Sequence, residues 1–218
     1  MLGNRLSSNI SLHQAATLAR DVPGFMKYNF IATTLISLTQ TNLPSVVIVE
    51  PSTRRDERGF FFEAYHRANY FAMGISNEFV QDNHSRSTQG VLRGLHYQAA
   101  PNAQAKLVRC TLGSILDVAV DIRAGSATFG KWAAVELTAI NMRQLMIPAG
   151  FAHGFLTLSE AAEVQYKVDA YYDPSAEGGI KWNDPTVGIA WPNQQPVLSA
   201  RDQNQPTLEE YLRNPRFT

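Results

Sequence analysis

The stretch KLVRCTLGSILDVAVDI, residues 106–122, decides the fold class. Two runs rich in aliphatic and β-branched residues, 106–112 and 115–122, lie on either side of Gly113-Ser114. Such runs favour strands, and a Gly-Ser pair between them is typical of a tight hairpin turn. We therefore predict that the two strands pair with each other across this turn.

The second of these strands has two different faces. One face carries only aliphatic residues, whereas the other carries two carboxylates, Asp117 and Asp121. In a small barrel with an internal cavity, a charged inner face suits a polar ligand. The same residues pointing to solvent would give the same alternation, so the pattern alone leaves both interpretations open.

Further short strands are predicted on both sides of this stretch, at residues 46–49, 132–137, 144–147, 154–158 and 163–169. One helix is predicted at residues 64–73, ended by Gly74. A short C-terminal helix is predicted from the capping box formed by Thr207 and Glu210. Many short strands with few helices predict an all-β antiparallel sandwich or barrel.

The bulk composition limits the class of protein. The chain has 218 residues, with Lys+Arg and Asp+Glu at 19 each, and one cysteine, Cys110. Zero net charge predicts no attraction to nucleic acid or to an anionic membrane, and no apolar run is long enough to predict a spanning helix. A lone cysteine allows no intrachain disulfide and fits a cytoplasmic protein. Residues 1–40 are polar without periodicity, and we expect a leader or disordered extension there.

Three of the five histidines, His84, His96 and His153, lie in segments rich in glycine and polar residues. None has a second ligand at the short spacing common in metal sites, which disfavours a metal, although ligands could come from separate strands. Histidine exchanges protons near neutral pH. The nearby Arg93 and Lys106 favour His96 as an acid–base residue.

Basic residues suggest a phosphate-bearing ligand. Arg58, Arg93 and Lys106 could receive a diphosphate, because Arg presents a planar fork and Lys a mobile charge. Ordinary surface salt bridges are the default for any one of them. The sequence contains neither G-x-G-x-x-G nor G-x-x-x-x-G-K-[ST], which disfavours a Rossmann or P-loop enzyme.

Eight motifs occur in the order and with the spacing of one enzyme family. They are DERGFF at 56–61, FVQDNHS at 79–85, VLRGLHYQ at 91–98, IPAGFAHGF at 147–155, YK at 166–167, YY at 171–172, WNDP at 182–185 and LSARD at 198–202. Together they resemble the dTDP-4-dehydrorhamnose 3,5-epimerase family. The resemblance implies a cupin-like jelly-roll barrel with a few short peripheral helices, forming one epimerase domain over residues 41–218 with a short helical tail.

The resemblance also implies a homodimer whose active sites each borrow residues from the partner subunit. The implied substrate is a dTDP-sugar, and the family works without a metal or another cofactor. Residues 148–153 look like the second cupin motif, whereas the usual metal-binding first motif is absent from the sequence.

The resemblance assigns catalytic roles to individual residues. His96 is expected to be the general base, and Asp202 the carboxylate that orients its ring. Tyr166 is expected to be the acid on the opposite face of the sugar, and Lys106 to stabilise the developing enolate oxygen. His153 is expected beside Lys106 in the pocket.

Seven further residues are expected to bind the substrate. They are Arg93 and, from the partner subunit's copy of the chain, Arg58 at the diphosphate, Gln81 and Asn83 at the nucleotide end, Tyr172 as a platform for the thymine, and Phe60 and Glu63 from the partner nearby.

The implied reaction inverts C3 and C5 of dTDP-4-dehydro-6-deoxy-D-glucose and gives dTDP-4-dehydro-L-rhamnose, a step of dTDP-L-rhamnose biosynthesis. The nearest alternative is a mono-epimerase acting on this or a related nucleotide sugar. A metal-dependent cupin enzyme and a non-catalytic sugar-binding barrel are further alternatives. The joint presence of His96, Tyr166 and Asp202 argues against a barrel that only binds sugar.

Overall fold

Two antiparallel sheets packed face to face form most of the structure, a computed structural model that describes residues 36–218. In chain order the strands are β1 (Ile36–Gln40), β2 (Val47–Pro51), β3 (Arg54–Asp56), β4 (Gly59–Phe61), β5 (Gln81–Thr88), β6 (Leu92–Gln98), β7 (Lys106–Leu112), β8 (Ser114–Asp121), β9 (Trp132–Thr138), β10 (Gln144–Ile147), β11 (Phe151–Thr157), β12 (Ala161–Val168) and β13 (Glu177–Gly179).

The larger sheet has the strand order β1-β2-β10-β7-β12-β5, and the smaller one the order β13-β6-β11-β8-β9. Strands β3 and β4 form a separate two-stranded hairpin. All the predicted strands are confirmed, with bounds shifted by at most three residues. The all-β class is confirmed as well.

The hairpin predicted at Gly113-Ser114 is wrong. Strand β7 pairs with β10 and β12, whereas β8 pairs with β9 and β11, so the turn carries the chain from one sheet to the other. Two contacts explain this course, because the Ser114 amide donates to Ser159 Oγ at 2.8 Å and the Ser114 carbonyl accepts from the Leu158 amide at 3.0 Å. These groups therefore bond to the loop between β11 and β12 and not to the facing strand.

Both faces of β8 are covered. Its Ile115 and Ala119 enter the core between the sheets, together with Val108 and Val164 from the larger sheet. Asp117 lies on the same face and is fully buried, as is Asp121. Of the two interpretations that the sequence left open, inward-facing or solvent-facing carboxylates, the structure shows the inward-facing one.

Within residues 36–218, three short helices lie outside the sheets: α1 (Arg67–Ala72), α2 (Ala200–Gln203) and α3 (Leu208–Leu212). The first lies within the predicted helix at 64–73 and is followed by Gly74, which has a φ of +92°. The third begins after the predicted capping box of Thr207 and Glu210, which is confirmed. Helix α2 was not predicted.

The boundary predicted at residue 40 lies inside the sheet. Strand β1 pairs with β2 over five residues, Ile36 to Pro51 at one end and Gln40 to Val47 at the other. Residues 36–40 therefore belong to the domain, because their backbone groups complete the edge of the larger sheet. The rest of the predicted leader, residues 1–35, lies outside the described residues. Among the helices of residues 36–218, none is long and apolar enough to cross a membrane.

The turn between the two sheets gives a stability prediction. A Cβ on Gly113 would lie 2.1 Å from the Ala161 carbonyl oxygen, whereas a Cβ on Gly74 would meet nothing within 4 Å, and both residues have positive φ. Backbone strain alone should cost Gly74→Ala about 1–2 kcal/mol. Gly113→Ala adds a backbone clash and should cost at least about 3 kcal/mol. Urea unfolding measures both, and equal losses would contradict the assigned turn.

Candidate active site

A cavity of about 440 Å³ opens between the two sheets, next to the C-terminal segment. Strands β6 and β11 line it from the smaller sheet, and β5, β7 and β12 from the larger one. It is lined by six of the residues predicted for the site: Arg93, His96, Lys106, His153, Tyr166 and Asp202. The structure therefore brings these six side chains together around one cavity.

A close approach of two strands shapes one wall of this cavity. Gly94 of β6 has a φ of +129°, and a Cβ there would lie 2.5 Å from Gly154 Cα of β11. Only glycine fits such a contact, because any side chain would push the strands apart. Within this wall, His96 of β6 and His153 of β11 are direct cross-strand partners.

A short hydrogen bond links His96 to Asp202. His96 Nε2 lies 2.5 Å from Asp202 Oδ1, and the Asp202 side chain is almost fully buried. Burial raises the pKa of Asp202, but the His96 bond, together with a bond from Ser199 Oγ, outweighs it and lowers the pKa below its usual range. A carboxylate in this position accepts the Nε2 proton, which leaves Nδ1 as the ring nitrogen that can take a proton.

Lys106 and His153 lie near each other in the cavity. Burial lowers the pKa of Lys106 to about 8, with partial compensation from the negative charges of Asp117 and Glu177. His153 Nε2 lies 2.7 Å from Asp117 Oδ1, and burial lowers the pKa of His153 despite this partner. A partly desolvated cation beside a histidine can stabilise negative charge that develops on a bound ligand.

Tyr166 faces the cavity from the opposite sheet to His96. Its strand β12 belongs to the larger sheet, whereas β6 belongs to the smaller one. Burial raises the pKa of Tyr166, and the charge of Glu177 raises it further, so the phenol carries its proton at neutral pH. A proton acceptor and a proton donor thus approach the same space from opposite walls.

A separate polar group is linked to the cavity through Glu177, which pairs with the cavity residue Arg201. Gln81 Nε2 donates to Asn83 Oδ1 at 3.0 Å, and the Tyr172 amide donates to Gln81 Oε1 at 3.0 Å. The Tyr172 hydroxyl donates to Glu177 Oε2 at 2.8 Å, and the Tyr172 side chain is exposed. These three predicted residues lie together, outside the cavity lining.

Arg58, Phe60 and Glu63 are not brought to the cavity of their own chain. Arg58 lies in the exposed β3–β4 hairpin and forms an ion pair with Asp56 at 2.5 Å. Phe60 is 57% exposed in the same hairpin. Glu63 accepts a hydrogen bond from Asn69 Nδ2 at 2.6 Å.

The structure adds three residues that the sequence prediction missed as site residues. Asp117 supports His153, and Arg201 lines the cavity and pairs with Glu177 at 2.7 Å. Arg201 lies in the LSARD motif, so its position next to Asp202 was a usable signal. Glu177 lies in the three-residue strand β13 and no sequence pattern marks it.

His84 lies away from the cavity. It belongs to β5, where it alternates with Asn83 and Ser85, and its ring bonds to Glu163 at 3.1 Å. Among residues 36–218, no group of three or more His, Cys, Asp or Glu side chains is arranged to hold a metal ion.

Comparison with solved structures supports the barrel assignment. An epimerase from Legionella pneumophila, solved with dTDP-4-keto-L-rhamnose, is 45% identical, with a TM-score of 0.79 over 84% of this chain and 99% of that one. A 3'-monoepimerase from Streptomyces bikiniensis, solved with dTDP-quinovose, is 37% identical, with a TM-score of 0.73 over 77% of this chain and 86% of that one. The predicted cupin-like jelly-roll fold is thereby confirmed.

Sequence comparison gives the same family. The dTDP-4-dehydrorhamnose 3,5-epimerase of Salmonella typhimurium is 54% identical over 180 residues, 82% of this chain and 98% of that protein. The one from Pseudomonas aeruginosa is 55% identical over 167 residues, 76% of this chain and 92% of that protein. The family model for dTDP-4-dehydrorhamnose 3,5-epimerase matches residues 40–210. The chain therefore belongs to the dTDP-4-dehydrorhamnose 3,5-epimerase family.

Proposed function

We propose that this protein inverts C3 and C5 of dTDP-4-dehydro-6-deoxy-D-glucose, with His96 as the base and Tyr166 as the acid. The observation that carries the proposal is the placement of these two side chains on opposite walls of one cavity, with Lys106 between the same sheets. Inversion needs removal of a proton from one face of the sugar and return of a proton to the other. Two opposed groups meet that requirement without any rotation of the substrate.

The C4 ketone acidifies the protons on C3 and C5. In each half of the reaction His96 removes one of these protons, and the C–H electron pair forms an enolate with its negative charge on O4. Lys106, supported by His153, stabilises that charge. Tyr166 then donates its proton to the same carbon from the opposite face, and proton exchange with water resets both residues.

Asp202 and Asp117 each hold one of the two histidines, His96 and His153, in the orientation that the reaction needs. The Asp202 carboxylate, 2.5 Å from His96, stabilises the imidazolium that forms after proton removal. Asp117 holds the His153 ring at 2.7 Å and adds negative charge near Lys106. Because both carboxylates are buried, their orientation is fixed before the substrate binds.

We also propose that the nucleotide end lies along the exposed polar group. Arg93, whose Nε donates to Ser87 Oγ at 3.0 Å, points its guanidinium at the diphosphate. Gln81 and Asn83 contact the nucleoside, and the exposed ring of Tyr172 stacks on the thymine.

The protein is proposed to act as a homodimer with shared sites. The β3–β4 hairpin exposes Arg58 and Phe60 away from their own cavity, which fits a role in the partner's site together with Glu63. A hairpin that carries a cation and large aromatic rings into solvent suits a second subunit that binds an anionic nucleotide.

Because both steps are proton transfers without a net redox change, the proposed reaction needs neither a metal nor an organic cofactor. The neutral net charge offers no field that would draw nucleic acid. We place the protein in the cytoplasm, in keeping with a single buried cysteine.

A mono-epimerase is the second candidate. The observation in its favour is the likeness to the 3'-monoepimerase from Streptomyces bikiniensis, which is 37% identical. The proposed acid and base serve either outcome, so the number of inverted carbons distinguishes the two functions.

The base assignment predicts how isotope exchange responds to mutation. His96→Ala should slow proton exchange at both carbons by about 10²–10⁴-fold. Tyr166→Phe should impair inversion more than exchange, because proton removal needs only the base. His84→Ala is the matched control, since that histidine lies away from the cavity, and it should keep the normal rate. Exchange at the wild-type rate in His96→Ala would exclude His96 as the base.

The depressed pKa of Lys106 predicts a basic limb in the pH profile. Lys106 is needed in its charged form, and its pKa of about 8 means that kcat/KM should fall as the pH rises through about 8. The raised pKa of Tyr166 excludes that residue as the source of this limb. Arginine stays charged, so Lys106→Arg should move the limb to higher pH even if the maximal rate falls. An unchanged limb would show that Lys106 does not set it.

The shared site predicts complementation between two inactive variants. A mixture of Arg58→Ala and His96→Ala chains forms mixed dimers with one intact site, and random pairing should restore about a quarter of the wild-type sites. Arg93→Ala with His96→Ala is the control, because both residues belong to the same cavity and no intact site can form. Activity that stays absent after subunit exchange in the first mixture would contradict the shared site.

A further inference from the structure

The WNDP motif places a buried carboxylate outside the cavity. Asp184 is 2% exposed and does not line the site. Its Oδ1 accepts from the Thr186 amide at 2.8 Å and from the Val187 amide at 3.0 Å. Its Oδ2 accepts from the Leu208 amide at 2.8 Å. One oxygen thus closes a local turn, whereas the other reaches a segment that lies 24 residues further along the chain.

The Leu208 amide belongs to the C-terminal strap, which we define as residues 204–218. The Lys181 amide donates to the Pro206 carbonyl at 2.7 Å, beside the Asp184 contact. Leu208 and Tyr211 pack into the apolar cluster on the outer face of the smaller sheet. The Asp184 bond therefore fixes the point where the strap meets the domain.

Hydrogen bonds hold the chain in place on both sides of helix α2. Upstream, the Val197 amide donates to Gly90 O at 2.9 Å and the Leu92 amide donates to Val197 O at 3.0 Å. Downstream, Pro206 and Leu208 are held as described above. Four residues are far too few for a helix that is stable alone, so these anchors, together with the Arg201–Glu177 ion pair, determine where α2 and its Asp202 lie.

We propose that Asp184 is a positioning residue that holds Asp202 against His96 by anchoring the C-terminal strap. This inference rests on the proposed role of His96 as the base. The His96–Asp202 bond of 2.5 Å needs a precise placement of the carboxylate, and the strap begins two residues after Asp202. A shift of the strap would lengthen that bond without removing any group that touches the substrate.

Asp184→Asn separates the two functions of the carboxylate. The asparagine Oδ1 can still accept from the Thr186 and Val187 amides, so the local turn is kept. Its NH₂ group then faces the Leu208 amide, and two donors cannot bond to each other. The substitution therefore breaks the strap anchor selectively.

The test is a double-mutant cycle with Asp202→Asn, using dTDP-4-dehydro-6-deoxy-D-glucose as the substrate. Asp184→Asn alone should lower kcat by about tenfold or more and leave KM within about twofold, because the nucleotide contacts are intact. The double variant should be no slower than Asp202→Asn, since both changes remove the same support. The inference would be overturned if the kcat reductions of the two single variants multiplied in the double variant. A wild-type kcat in folded Asp184→Asn would overturn it as well.

Two further variants keep the test decisive. Leu208→Ala weakens the apolar anchor of the strap and should show the same non-additivity with Asp202→Asn, so it replaces Asp184→Asn if that variant does not fold. Leu137→Ala truncates another fully buried leucine, which lies in the apolar cluster between the sheets and not in the one that holds the strap, and its effect should multiply with that of Asp202→Asn. If Asp202→Asn itself had the wild-type rate, the base–carboxylate pair would fail and the inference with it.

Discussion

The hydrogen bond between His96 and Asp202 joins the two parts of the molecule that must meet for a site to exist. His96 belongs to the interior of the barrel, and Asp202 belongs to the segment that wraps around its outside. A buried carboxylate is stable only with partners for its oxygens, and here His96 and Ser199 provide them. The fold therefore has to bring the C-terminal segment back to the mouth of the cavity.

The need to form a site also explains why polar side chains lie between the sheets. Asp117 and His153 are buried, and the half-buried Lys106 lies beside them, in a region that a sandwich normally fills with aliphatic side chains. Asp117 Oδ2 has no hydrogen-bond partner among the described residues. Such a group costs stability, and its natural explanation is a preorganised charge distribution that acts on a bound ligand.

Local patterns in the sequence were sufficient for most elements. Seven of the thirteen strands within residues 36–218 were predicted from their short runs of strand-forming residues, and the helix that starts after Thr207 follows from its capping box. Pairing was not predictable, because alternation shows which face a residue occupies and not which strand lies beside it. The turn at Gly113 is the example, since side-chain and backbone contacts with the loop at 158–159 determine that the chain changes sheets.

The site residues were likewise predictable only in part, because some of them are brought together by tertiary contacts. The motifs that resemble the family contain five of the six predicted cavity residues, all except Lys106. Composition and spacing alone indicated only a β-rich domain with basic residues near His96. Glu177 was missed because it lies in a three-residue strand, and its contacts with Tyr172 and Arg201 arise from tertiary structure. Asp184 was visible within a motif, but its link to Leu208 appears only once the chain has folded back.

The most direct measurement is proton NMR of dTDP-4-dehydro-6-deoxy-D-glucose in D₂O with the metal-stripped wild-type protein. The opposed acid and base predict deuterium at both C3 and C5, with inverted configuration at each carbon. Exchange at one carbon only would contradict the double inversion and favour a mono-epimerase. Tight binding of the nucleotide sugar without exchange at either carbon would contradict the proposed catalysis altogether.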